Sequence, residues 1–208
     1  MKINKVSGLL AILLCVVNNG FAADAPWQER WVFGYAGASG NSPIASSEKG
    51  VEGIYEFDSG WYVNAIYNVS KEKSGGSDNN ALDTNTTAIG GGYTFNLTPN
   101  TKGQLGYMYQ DSSVKNVETG GVRVGTYKDR QIYGDGPVVR LVHKLSPSLT
   151  ADVLVARFSY NTGVTNTNTR LGLSYNLTSN LFGRVDVHSI DRSDWNSTRW
   201  GIGLGYRF

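Results

Sequence analysis

Apolar and polar positions alternate along most of this chain. In Trp200-Gly201-Ile202-Gly203-Leu204-Gly205-Tyr206-Arg207-Phe208, the large apolar side chains fall on one face and glycine or arginine on the other. A period of two is the mark of a β-strand. The same alternation predicts strands over 31–37, 51–57, 61–69, 87–97, 104–110, 137–145, 149–158, 170–177 and 181–190. A face as apolar as the last one must be covered, by a second sheet in a soluble sandwich or by lipid around a closed barrel.

The connections separate into two classes that alternate. Asp58-Ser59-Gly60, Thr98-Pro99-Asn100, Ser146-Pro147-Ser148 and Thr178-Ser179-Asn180 are tight, and Leu97, Leu145 and Leu177 precede the three that begin with Ser or Thr. The others, 38–48, 71–83, 111–130, 161–168 and 191–197, are longer and polar. Short turns at one end and longer loops at the other belong to outer-membrane barrels, whose loops face the cell exterior. The pattern therefore predicts an all-β fold, a transmembrane antiparallel up-and-down β-barrel of about ten strands. The polar region 111–130 hides an extra hairpin or carries strands past the membrane, so eight or twelve strands also fit.

Aromatic positions suggest two belts at the membrane surfaces. Trp31, Phe57, Trp61, Tyr93, Phe95, Tyr175, Tyr206 and Phe208 would lie near the turn end, and Tyr67, Tyr107, Tyr109, Phe158 and Trp200 near the loop end. The last strand, ending in Tyr206 and Phe208, also resembles the C-terminal strand of bacterial outer-membrane barrels, and that resemblance implies a signal read by the barrel-assembly machinery.

Residues 1–22 carry Lys2 and Lys5, an apolar run from Gly8 to Val17 and the small-residue site Gly20-Phe21-Ala22. They are expected to be a cleaved secretory signal, leaving 23–208 as one barrel domain. The single cysteine, Cys15, lies inside that signal, so no disulfide is expected in the mature chain. The nearly balanced charge gives no reason to expect nucleic acid as a partner. Outer-membrane lipid and lipopolysaccharide are the expected surroundings, and the bacterial outer membrane the expected location.

With the apolar face outward, the inward set contains Glu52, Glu56, Arg140, Lys144, Asp152, Arg170, Arg184, Asp186, His188, Arg199 and Arg207. A charge facing lipid at mid-depth costs a few kcal/mol, which sends these side chains to the lumen. Cations outnumber carboxylates in this set. Two readings follow. The charges pair across a filled lumen, or surplus arginine lines a narrow wet path that draws small anionic solutes. Glycines at 90, 92, 201, 203 and 205 would leave space on the inner wall, or merely ease strand curvature. Arg157 falls on the outward parity near the loop end, where it would meet headgroup phosphates unless a bulge turns it inward.

The ending Gly203-Leu204-Gly205-Tyr206-Arg207-Phe208 resembles that of the Ail/OmpX adhesion and resistance family. That resemblance implies an eight-stranded, non-conducting barrel for adhesion, host interaction or envelope integrity. The stretch 170–208, with its arginine-bearing last strands, is similar to KdgM-type porins. That similarity implies an arginine-lined lumen passing acidic oligosaccharides. Asp186-Val187-His188 resembles half of the omptin protease site, but the aspartate pair expected on a facing strand is missing. His188 and Ser189 point to opposite faces and cannot act as a base and its nucleophile. Neither Gly-x-Ser-x-Gly nor metal-spaced His/Cys motifs occur. The chain is thus expected to be no enzyme and to need neither cofactor nor metal. A small channel is the leading expectation and a surface barrel the alternative.

Overall fold

The structure, a computed structural model, describes residues 27–39, 44–74, 80–118, 130–192 and 195–208. The signal expected over 1–22 lies outside the described residues. Ten strands follow in order: β1 (Arg30–Ser39), β2 (Ile44–Glu56), β3 (Trp61–Ser74), β4 (Asn80–Thr98), β5 (Thr101–Glu118), β6 (Arg130–Lys144), β7 (Leu149–Tyr160), β8 (Thr165–Asn176), β9 (Leu181–Arg192) and β10 (Trp195–Arg207). Each pairs antiparallel with its neighbours in sequence, and β1 pairs with β10 to close the barrel. Closure leaves no unpaired edge, the condition for a sheet to stand in lipid. There is no helix among the described residues.

The ladders run further than the hydrophobic pattern suggested. The expected loop 71–83 is strand up to Ser74 and again from Asn80, and 111–130 is strand through Glu118 and again from Arg130. β4 alone has 19 residues, whereas a membrane crossing needs about 9–11. The extra length lies at the loop end and carries polar residues on both faces, so apolar alternation could not reveal it. The segments 40–43, 75–79, 119–129 and 193–194, which fall within expected loops, lie outside the described residues.

Hydroxyl groups organise three of the tight turns. Thr98 Oγ1 accepts from Asn100 N at 3.3 Å. Ser146 Oγ accepts from Leu149 N at 3.1 Å, and Thr178 Oγ1 from Leu181 N at 2.9 Å. A side-chain oxygen that satisfies the turn's own amides is the reason these turns start with Ser or Thr. The fourth turn uses Gly60 at φ 85°, a conformation L side chains avoid. Beside it, Asp58 accepts from Gln28 Nε2 at 2.6 Å and Arg30 Nη2 at 2.7 Å. These donors hold its carboxyl below the ordinary aspartate range and fasten the start of β1 to the β2–β3 turn.

The outer surface carries an apolar band with aromatic rings at both limits. Leu105, Val139, Val153, Leu171, Leu173, Val185, Ile202 and Leu204 face outward, with Trp61, Tyr93, Tyr175 and Tyr206 towards the turns and Tyr107, Tyr109, Tyr133 and Trp200 towards the loops. Two expected belt residues are not there. Trp31 and Phe158 are buried inside the barrel. Strand β1 is inverted relative to the others: Trp31, Phe33 and Tyr35 point inward, while Gly34, Ala36 and Ala38 face out. Arg157 keeps its outward parity in an unbroken β7–β8 register, opposite Thr167.

The inversion of β1 explains the glycines of β10. Phe33 stands beside Gly205 and Tyr35 beside Gly203 in the β1–β10 register. A Cβ at Gly205 would run into the Phe182 ring, and one at Gly203 would run into Gly34 O. The space these glycines leave is therefore occupied by aromatic rings. Phe33 stacks on Phe182 with centroids 6.1 Å apart, and Trp31 meets the same ring edge-on at 6.2 Å.

Val139→Arg, in the middle of the outward band of β6, is predicted to cost about 2–4 kcal/mol in reversible unfolding from lipid vesicles. Phe182→Ala should cost about 3–5 kcal/mol by opening a cavity in the aromatic cluster. Urea titrations of both variants against the parent chain check these values.

Candidate functional site: the barrel interior

The interior has two halves. The half nearer the turns is filled by a charged network interleaved with aromatic rings. At its lower edge Lys102 donates to Glu56 Oε1 at 2.7 Å, and both side chains are nearly sealed from solvent. Trp27 lies beneath, its ring under Lys144 Nζ at 4.5 Å and its carbonyl accepting from Lys102 Nζ. Arg207 sits over the Phe182 ring at 4.5 Å and donates to Asn176 Oδ1.

One level up, Arg140 crosses the barrel. Its Nη1 reaches Glu29 Oε2 at 2.7 Å, and its Nε reaches Asp152 Oδ1 at 3.1 Å. Asp152 also accepts from Arg184 Nη1 at 2.6 Å. Gln104 ties the group together, donating to Glu29 Oε2 at 2.9 Å and accepting from Arg140 Nη1 at 3.1 Å. Arg140, Asp152, Arg184 and Gln104 are all buried. A buried ion group of this kind is tolerated because almost every lone pair and donor finds a partner.

Above this level the pairs thin out towards the loops. Arg170 grips Glu52 with both nitrogens, at 2.5 and 3.0 Å. Arg199 donates to Glu48 at 2.8 Å. Asp186 stands 3.7 Å from Arg184 Nε. The upper half of the lumen then opens into a cavity of about 750 Å³ that begins at Phe33 and Glu52 and extends to Thr162 and Val164. Asp186 and His188 line its wall.

The residues singled out in the sequence therefore occupy three places. Glu52, Glu56, Arg140, Asp152, Arg170 and Arg184 belong to the network, Asp186, His188 and Arg199 border the cavity, and Lys144 and Arg207 lie at the turn-end rim. Three partners escaped the sequence pattern: Glu29, Lys102 and Glu48. Glu29 precedes the first apolar run, Lys102 follows directly on a turn, and Glu48 stands in what read as a polar loop. Their inclusion changes the electrostatics. The interior cations Lys102, Arg140, Arg170, Arg184 and Arg199 face the carboxylates Glu29, Glu48, Glu52, Glu56, Asp152 and Asp186. With Lys144 and Arg207 at the turn-end rim included, seven cations face six carboxylates, so the surplus of two counted from the sequence narrows to one among these described residues.

No curated protein matches the chain. Among solved structures, the KdgM porin is 11% identical, with a TM-score of 0.44, over 86% of this chain and 99% of that one. The NanC porin is 10% identical with a TM-score of 0.45, over 85% of this chain and 100% of that one. The β domain of the Bordetella autotransporter BrkA is 14% identical with a TM-score of 0.49, over 89% and 99%. The family model for the outer membrane protein beta-barrel domain matches residues 43–208, which take in every strand from β2 to β10. The closed barrel with its lipid-facing apolar band agrees with that match, and the chain belongs to the outer membrane protein beta-barrel domain family.

Proposed function

We propose that this protein is an outer-membrane surface barrel whose axis is closed to solutes at the turn end and whose working face is the loop end. One observation carries the reading: the turn-side lumen is filled by a charge-matched network. Phe33, Lys102, Gln104 and Val142 are its most completely buried side chains. An arginine surplus would need water or anions to be tolerated; a matched set does not. Short turns place the closed end on the periplasmic side. Residues 1–22 then act as the secretory signal. Tyr206 and Phe208, whose rings stack at 6.4 Å, then serve the assembly machinery as its recognition feature. Lipopolysaccharide surrounds the loop-side half, within reach of the outward Arg157.

A second reading rests on the nature of the obstruction. Among the described residues it is built from side chains together with the short segment 27–29, so rearrangement of these groups would open a narrow path for small solutes. Planar bilayers separate the two. The purified barrel is predicted to be silent. The paired change Glu29→Ala with Arg140→Ala removes the central crossing and should produce discrete openings. Frequent openings of the parent chain, with anion preference lost on Arg170→Gln, would favour the channel.

The network also predicts an asymmetry in stability. Asp152→Ala leaves Arg140 and Arg184 facing each other and should cost about 3–5 kcal/mol. Replacing the whole group, as Asp152→Leu, Arg140→Met, Arg184→Met and Glu29→Gln, should recover most of that loss, because no buried carboxylate is then left without its cation. Unfolding midpoints in urea check both.

A further inference from the structure

The inversion of β1 marks the outer surface as well as the interior. Because Trp31, Phe33 and Tyr35 turn inward, the outward positions of this strand are Gly34, Ala36 and Ala38. Larger outward neighbours flank them in the register. Gly34 lies between Leu204 of β10 and Val51 of β2, and Ala36 between Ile202 and Lys49. Tyr67 and Val69 of β3 continue the second bank. The result is a groove of about 600 Å³ on the lipid-facing side of the barrel. Its floor is open: a Cβ added at Gly34 would meet nothing closer than Leu204 O at 4.0 Å. Ile202, 66% exposed, and Leu204, 58% exposed, stand above that floor with no side chain on β1 to pack against. Within lipid, association rests on close van der Waals contact, and a groove gives an alkyl chain more of it than a flat band does.

The groove ends in a cation. Lys49 lines it, is outward and exposed, and lies one register row short of Trp200, which marks the loop-side limit of the apolar band. No outward neighbour of Lys49 on β1, β2 or β3 is acidic. Lys71, the next outward cation, lies opposite Asp83. An outward lysine costs little at the membrane surface, and as a point charge without an acidic neighbour it suits a phosphate. We propose that this groove is a site for one lipopolysaccharide molecule, with an acyl chain of its lipid anchor laid along Gly34 and Ala36 and an anchor phosphate on Lys49 Nζ. The loop end faces the leaflet built of that lipid, which selects it over other anionic lipids. The site rests on that orientation and not on whether the lumen conducts.

Native mass spectra of the full chain, extracted gently from outer membranes, read the occupant directly. The parent barrel is expected to carry one lipopolysaccharide per chain. Ala36→Phe fills the groove with an outward apolar group and should lose it. In nonionic detergent the purified barrel should bind added diphosphorylated lipid A saturably, at one per chain. Lys49→Gln should weaken that binding at least fivefold. Lys115→Gln, which removes an exposed lysine on β5 away from the groove, should leave it unchanged. Phosphatidylethanolamine, with acyl chains but no net charge, should bind at least tenfold more weakly. Heat-modifiable migration in detergent gels establishes that each variant is folded. The proposal is overturned by undiminished lipopolysaccharide on folded Ala36→Phe, by equal weakening in Lys49→Gln and Lys115→Gln, or by equal affinity for the two lipids. A dimer of the parent chain that Ala36→Phe dissociates would assign the groove to a second copy and overturn it too. Bilayer recordings of the lumen are independent of all these outcomes.

Discussion

The interior of this barrel depends on one requirement: charges withdrawn from water must be matched. Arg140 is the pivot. It holds Glu29 at the start of the chain and Asp152 on β7 at the same time, and Asp152 is shared with Arg184. Removing one member strands the others in a low-dielectric space, so the group stands or falls as a unit. It also ties the segment before β1 to β6, on the far side of the barrel. Aromatic rings fill the gaps between the ions: Arg140 lies over Trp31 and Arg184 over Phe33, each at 5.8 Å from the ring centroid.

The outside obeys a different constraint. Lipid offers backbone groups no hydrogen bonds, so every strand must be paired on both sides and the sheet must close. This is met by the β1–β10 ladder, where the inward aromatics of β1 lie against the inward glycines of β10. The closure seam and the aromatic cluster are thus one feature. Phe33 and Tyr35 of that cluster also floor the loop-side cavity. Sealing of the turn end and shaping of the cavity have a common structural origin.

Much of this architecture was legible in the sequence. Strand number, antiparallel order and the four tight turns follow from alternation and turn chemistry, because both are local. The β1 inversion was not legible. Trp31, Phe33 and Tyr35 alternate as a lipid-facing strand would, and only their partners, Gly203 and Gly205 on β10, reveal that they point inward. Phe158 misled for the same reason: an aromatic near a strand end fits a belt and a core equally well. The pairing of the interior charges was not legible because Glu29, Lys102 and Glu48 sit outside the apolar runs that defined the strands. Pairing across the barrel is a long-range property, and period-two reading of single strands cannot supply it.

The central claim, an interior sealed towards the turns and accessible from the loops, is tested most directly by thiol labelling. The only cysteine of the sequence, Cys15, lies in the expected signal, so a single introduced cysteine in the processed chain reports its own position. Asn168→Cys, in the cavity wall, should react readily with a membrane-impermeant maleimide added from the loop side of reconstituted vesicles. Gln104→Cys, within the charged network, should resist the reagent from either side. Rapid labelling of Gln104→Cys in a folded barrel would show an open axis and contradict the account.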